Sequence, residues 1–200
     1  MLKGIDISHH NRNFKNPLAI NAYDFVIMKA TEGASYKDNA LQYFMRFLDD
    51  KKLKGFYHYA RPELKNSPQA EASNFISTIL KYMDGRAILA LDVEGAALNL
   101  DKKYLDHWCA EWCKYVENAT GIKPMIYTSE AYTSFYHECV EFGCGLWCAK
   151  WSLQKPKKIK PWEFFAIWQK SSKHVVSGIN CDLDVFNGTK EQYLKYCGVK

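Results

Sequence analysis

The first half of this 200-residue chain contains no cysteine; all seven, Cys109, Cys113, Cys139, Cys144, Cys148, Cys181 and Cys197, lie in the second half. An odd number crowded into one half is a poor basis for a disulfide framework and points to free, mostly buried thiols. Metal-ligand patterns are also scarce. The Cys109/Cys113 and Cys144/Cys148 pairs are spaced more widely than a four-thiolate zinc site usually is. His9 and His10 are adjacent, so in extended chain they face opposite ways, and no H-x-x-x-H or H-E-x-x-H accompanies them. His137 and Cys139 fall on one expected helix without an orienting acid, which argues against a cysteine nucleophile. Neither a metal nor a cofactor is expected.

Long apolar runs are missing too. Nothing approaches the ~20 residues of a membrane span, and Met1-Leu2-Lys3-Gly4 starts a strand-like pattern with no basic-then-apolar leader. The chain is therefore expected to be made in the cytosol without a Sec-type signal, and the acceptor patterns at Asn118 and Asn187 then mean little. There is no linker, repeat or low-complexity segment, so one domain is expected over residues 1–200. The net charge of +5 gives a mild attraction to polyanions. The basic run Lys155–Pro161 reads as a solvated loop. No nucleic-acid module is present, and no nucleic-acid partner is expected.

What is present is a βα rhythm. Leu2–Ile7, Asp24–Ala30, Gly55–Ala60, Ala87–Glu94 and Lys123–Thr128 read as strands. Helical spacing covers Tyr36–Lys52, Ser67–Met83, Asp101–Ala119 and Ser129–Phe142. After that, Gly145–Trp151, Phe164–Lys170 and Asp182–Phe186 read as three further strands without helices between them. The alternation predicts a parallel α/β sheet with right-handed crossovers. Eight strands in 200 residues suggest closure into a TIM-like barrel whose last strands are joined by loops.

The most informative segment is Ile88-Leu89-Ala90-Leu91-Asp92-Val93-Glu94-Gly95, an apolar run that ends in two acids and a glycine. Residues i and i+2 of a strand share a face, so Asp92 and Glu94 project side by side with Cα atoms roughly 6.5 Å apart. Two such carboxyls resist joint ionisation, so one keeps a proton near neutral pH. An acid beside a carboxylate is what cleavage of a glycosidic bond requires. A solvated strand-end turn is the bland alternative. The other expected strand ends carry Asp6, Glu32, Tyr57, Tyr59, Tyr127, Trp147 with Trp151, Gln169, Asp182 and Asp184. In a barrel these gather at the C-terminal mouth, where aromatic faces stack on sugars and polar groups read hydroxyls and acetamides. Against this, strand tryptophans such as Trp147, Trp151 and Trp168 are commonly core residues.

Gly4–Asn11, Phe25–Gly33, Gly55–Ala60, Leu91–Glu94, Pro124–Tyr127, Leu146–Ala149, Ile167–Gln169, Gly178–Ile179 and Asp182–Phe186 occur in an order that resembles the Chalaropsis-type lysozymes, glycoside hydrolase family twenty-five. The resemblance spans nearly the whole chain. It implies a flattened barrel of eight strands and about five helices, and cleavage of the β-1,4 bond after N-acetylmuramic acid in peptidoglycan glycan strands. It also implies that Glu94 is the general acid, that Asp92 is the partner carboxylate supporting the substrate's N-acetyl group or a charged transition state, and that Asp6 and Asp182 flank them. Tyr57, Tyr59, Tyr127, Trp147, Gln169, Glu32 and Asp184 are the expected substrate-binding set. The family commonly has Asn where Asp184 stands, which implies an extra negative charge here. Small leaderless members are often phage or prophage endolysins, so action on the wall after lysis-dependent release, or outside the cell, is expected. A peptidoglycan-binding barrel without catalysis and a hydrolase of chitin-like 2-acetamido polysaccharides are the competing readings.

Overall fold

In the computed structural model, which describes residues 1–198, a closed eight-stranded barrel carries one extra edge strand. The strands are β1 (Leu2–Ile7), β2 (Phe25–Glu32), β3 (Tyr36–Lys37), β4 (Leu53–Tyr59), β5 (Ala87–Asp92), β6 (Met125–Ser129), β7 (Gly145–Ala149), β8 (Ile167–Val176) and β9 (Ile179–Phe186). Their order is β1-β9-β8-β7-β6-β5-β4-β2-β3, and β1–β2 pairing closes the ring. Neighbours from β1 through β2 and β4 to β8 run parallel. The barrel is nevertheless mixed, because β9 pairs antiparallel with both β8 and β1. The parallel pairing that the early βα alternation predicts holds around the ring through β8, and β9 is the exception. Ser177 and Gly178 both take positive φ, at 49° and 86°, which closes β8 and β9 into a tight hairpin whose twist matches the strands.

The helices are α1 (Leu41–Met45), α2 (Pro68–Ile79), α3 (Lys102–Thr120), α4 (His137–Glu141) and α5 (Lys190–Tyr196). Ser67 caps α2, its side chain accepting from the Ala70 amide, with Pro68 in the first turn. Asp101 caps α3 by accepting from the Lys103 and Tyr104 amides, and Gly121 ends it at φ 73°. Two expected helices shrink. Over Tyr36–Lys52 the buried Asp38 side chain bonds the Ala40 amide and turns the chain, leaving a two-residue strand and a five-residue helix. Over Ser129–Phe142, Tyr136 leaves helical geometry at φ −107°, ψ 62°, dividing a 3-10 turn from α4. Helix α5 is absent from the expectations made on sequence.

Side chains on the two faces of the barrel wall form two cores. The larger lies between the strands and the helices and includes Ile5, Val26, Phe56, Leu89, Trp112 and Trp168. The smaller fills the barrel with Phe25, Ile27, Leu53, Ile88, Trp147 and Phe186, joined by Tyr193 of α5 and by Cys197 just after it. The Tyr193 hydroxyl donates to the Lys54 carbonyl at 2.9 Å, so α5 plugs the end opposite the mouth. Gly4 permits this filling: a Cβ there would lie 2.3 Å from the Phe25 ring. All seven cysteines are free and buried. No helix of the described residues is long and apolar enough to cross a membrane.

Candidate active site

The mouth is built from strand ends. Asp92 is the last residue of β5, and Glu94 follows in extended geometry at φ −150°, ψ −175°, which preserves the shared face that the alternation demands. The backbone there is fixed on both sides, since the Ala60 amide donates to the Asp92 carbonyl at 2.9 Å and the Val93 amide to the Tyr127 carbonyl at 3.0 Å. Asp92 is buried, and its Oδ1 has no hydrogen-bond partner among the described residues. Glu94 is half-buried. Gly95, at φ 60°, turns the chain under the Tyr59 hydroxyl, where a Cβ would lie 2.8 Å from that oxygen.

Lys29 is the cation of this half of the site. It is buried, donates to Glu32 Oε2 at 2.7 Å and sits 4.7 Å from the centroid of the Tyr59 ring. Burial and the Glu94 charge push Asp92 well above the ordinary carboxylate range, with Lys29 opposing them. Burial also raises Glu94, again against Lys29. Glu32 moves the other way: burial would raise it, but hydrogen bonds from Lys29 and Arg61 hold it low. Glu32 is thus tied up in an ion-pair bridge between Lys29 and Arg61.

The opposite half has carboxylates with no cation bonded to them among the described residues. Asp182 stands across from Asp6 in the β1–β9 register, and Asp184 across from Gly4. Gln169 Nε2 donates to Asp6 Oδ2 at 3.0 Å, and the Trp147 indole donates to Asp184 Oδ1 at 2.8 Å. Asp184 Oδ2 is buried without a hydrogen-bond partner among the described residues. Burial, with Asp184 beside it, drives Asp6 well upward. Burial likewise takes Asp184 to about 7, and burial with the Asp6 and Glu94 charges takes Asp182 to about 8.

Tyr57 and Tyr127 are pushed up by burial and by the surrounding carboxylates, and Tyr59 reaches about 12 for the same reasons. The Tyr127 hydroxyl donates to Gln169 Oε1 at 3.0 Å, and the Trp151 indole donates to the same oxygen at 2.9 Å. Every residue of the expected site therefore lies at or beneath this mouth, with different exposure. Trp147 is 1% exposed, inside the barrel, and holds Asp184 without offering a ring face to a ligand. Trp168 is buried in the outer layer, with its indole donating to the Lys150 carbonyl. The aromatic open to solvent is Trp151, 65% exposed and beside Glu94, Leu98 and Tyr127 in a cleft of about 270 Å³.

Sequence reasoning passed over Lys29 as a site residue, although it stands at a strand end. It also missed the support beneath the mouth. There the buried Glu71 carboxylate accepts from His58 at 2.8 Å and from the Arg61 amide at 3.0 Å, while His58 meets Thr31 at 2.7 Å. His9 bonds Asp38 at 2.8 Å, a structural contact. Among the described residues no group of three or more His, Cys, Asp or Glu is arranged to hold a metal.

Acids and aromatics gathered at the C-terminal ends of the strands of a closed barrel are the arrangement of a barrel glycoside hydrolase. Residues 5–179 match the model of the glycosyl hydrolases family 25, and the chain belongs to that family. It is 34% identical over 178 residues to the protein YegX of Escherichia coli strain K12, covering 84% of this chain and 61% of YegX. It is 30% identical to the autolytic lysozyme of Clostridium acetobutylicum, covering 93% of this chain and 56% of that protein. The chain therefore spans roughly three fifths of the length of these curated relatives. Among solved structures, the muramidase from Acremonium alcalophilum superposes with a TM-score of 0.82 at 25% identity, covering 99% of both chains.

Proposed function

We propose that the protein is a muramidase, hydrolysing the β-1,4 bond between N-acetylmuramic acid and N-acetylglucosamine in bacterial peptidoglycan. The observation that carries this reading is the Asp92/Glu94 pair: a buried carboxyl with one unpartnered oxygen beside a half-buried carboxyl whose proton affinity is raised. Family membership and the autolytic lysozyme and muramidase relatives support it.

In this mechanism Glu94 is the general acid and protonates the glycosidic oxygen as the bond to the anomeric carbon breaks. The two carboxyls on one strand face leave little room for an intervening water, and inverting enzymes need carboxyls ~6.5–9.5 Å apart. Retention of configuration follows. The nucleophile is the acetamido oxygen of the substrate, which closes onto the anomeric carbon, while the free Asp92 oxygen accepts the acetamido N–H and offsets the developing positive charge. Water then opens the cyclic intermediate, with Glu94 as the base. Asp6 and Asp182 shape the field around the anomeric carbon, and Tyr57, Tyr59, Tyr127 and Gln169 line the approach.

Mass spectrometry of digested peptidoglycan tests the proposal, because it identifies the sugar that bears the new reducing end. N-acetylmuramic acid is expected there. N-acetylglucosamine at the new end, faster release from chitin, or binding without release would each overturn it. A thiazoline analogue of the cyclic intermediate should inhibit tightly, and Asp92→Asn should weaken that inhibition sharply. A glycosyl ester trapped on Asp6 or Asp182 would show that the enzyme supplies its own nucleophile.

A further inference from the structure

Trp151 lines two separate hollows, and one of them is the cleft beside Glu94 and Tyr127 described above. In the other, the 151–153 loop and the 170–173 segment of β8 line a hollow of about 450 Å³. Its walls carry Leu153, 95% exposed, the hydroxyls of Ser152, Ser171 and Ser172, and the ammonium groups of Lys170 and Lys173. The hollow is held in shape by backbone bonds. The Lys150 amide donates to the Gln169 carbonyl at 3.0 Å and the Ser152 amide to the Lys170 carbonyl at 3.2 Å. Trp151 itself is an exposed ring with a fixed edge, because its indole N–H is bonded to the buried Gln169 that also holds Asp6.

The charges in this hollow are uncompensated. By contrast Lys29, Lys54 and Lys150 are paired with carboxylates. Among the described residues Lys170 and Lys173 have no acidic partner, and Lys170 lies over the Trp168 ring, 5.3 Å from its centroid. A neutral amino sugar gives two ammonium groups nothing to neutralise. A ligand that alternates small apolar side chains with carboxylates fits both the lysines and the Leu153 and Trp151 surfaces.

We propose that this hollow is a binding site for the peptide stems of peptidoglycan, with Lys170 and Lys173 meeting stem carboxylates and Trp151 dividing the sugar side from the peptide side. The inference rests on the muramidase reading and names a further part of the same substrate. In intact peptidoglycan the lactyl carboxyl of muramic acid is consumed in the amide bond to the stem, so the negative charge lies on the peptide. An extended stem gains about 3.3–3.6 Å per residue, so its first free carboxylate lies roughly two residues from the glycan, on the scale of one indole ring.

The test compares peptidoglycan freed of teichoic acid with the same glycan stripped of stems by an amidase, using wild type, Lys170→Ala/Lys173→Ala and Lys170→Arg/Lys173→Arg. A single charge-assisted hydrogen bond contributes on the order of a tenfold affinity change. Wild type is therefore expected to show a KM roughly tenfold lower on stem-bearing material. The double alanine variant should lose that preference, keep its rate on stripped glycan, and be rescued by arginine. An unchanged preference in the alanine variant overturns the proposal, as does a preference that appears only when teichoic acid phosphates are attached. A second arm needs no catalysis: titration with free stem peptide should shift the Trp151 indole N–H resonance in wild type and not in the alanine variant. If neither glycan is cleaved, the muramidase reading fails while this arm still decides the site; no shift in wild type overturns the site itself.

Discussion

The two sides of the barrel mouth hold similar numbers of carboxyls and neutralise them differently. Asp92 and Glu94 stand near a buried ammonium, Lys29, which opposes the rise in their proton affinity. Among the described residues Asp6, Asp182 and Asp184 pair with no such ion; Gln169 donates to Asp6 and the Trp147 indole to Asp184. A cation lets one carboxylate of a close pair stay charged, whereas hydrogen-bond donors alone leave burial in command and the group keeps its proton. The first side is thus poised to exchange protons and the second to store them.

Removing the acid breaks this contrast at its active end. Glu94→Gln keeps the shape of the side chain and deletes the transferable proton. General acid catalysis is typically worth ~10²–10⁴-fold, so a loss in kcat within that range is expected in a cell-wall turbidity assay. Activity within a few-fold of wild type would mean that Glu94 is not the acid.

Lys29→Met erases the difference between the two sides. Without the ammonium, both Asp92 and Glu94 move further upward, because the one opposing charge is gone. Both limbs of a bell-shaped rate profile should move to higher pH, by roughly one unit or more, with a smaller loss at the optimum than Glu94→Gln gives. A profile of unchanged position, read from kcat/KM against pH, would show that Lys29 does not set the charge of the pair.

How much of this was legible before folding differs from residue to residue. The strand-end acids and tyrosines announced themselves because an apolar run that stops at Asp-Val-Glu marks where a buried parallel strand meets solvent. Period-two alternation says which face a residue takes and nothing about its depth. Trp147 and Trp151 share a face by alternation, yet Trp147 lies on β7 within the barrel while Trp151 falls two residues beyond the strand's end, in solvent. The position of Lys29 depends on the register shift between Lys29 and Thr31 in the β2–β4 pairing, for which no local signal exists. Other omissions were readable. Thr189 and Gln192 form a capping box at the start of α5, and Ser177-Gly178 is a turn dipeptide. Both lie where the helices of the βα rhythm had already given way to loops.

The stored protons on the second side supply the smallest predicted effect, on stability rather than rate. Asp184 is fully buried, and its carboxyl is raised to about 7 from an unfolded value near 3.9. A carboxyl raised on folding contributes stability that is complete below the unfolded value and is lost as pH rises through the folded one. The barrel should therefore lose stability between about pH 4 and pH 8, with Asp182, raised to about 8, extending the decline at its upper end. Each proton released contributes a slope of at most ~1.4 kcal/mol per pH unit. Asp184→Asn removes one such group while keeping an oxygen to accept from the Trp147 indole. Denaturant unfolding from pH 5 to pH 9 should give a shallower decline for the variant, with near-equal stability at pH 5 and the larger gain above pH 7. Parallel curves would mean that Asp184 is already ionised in the folded barrel.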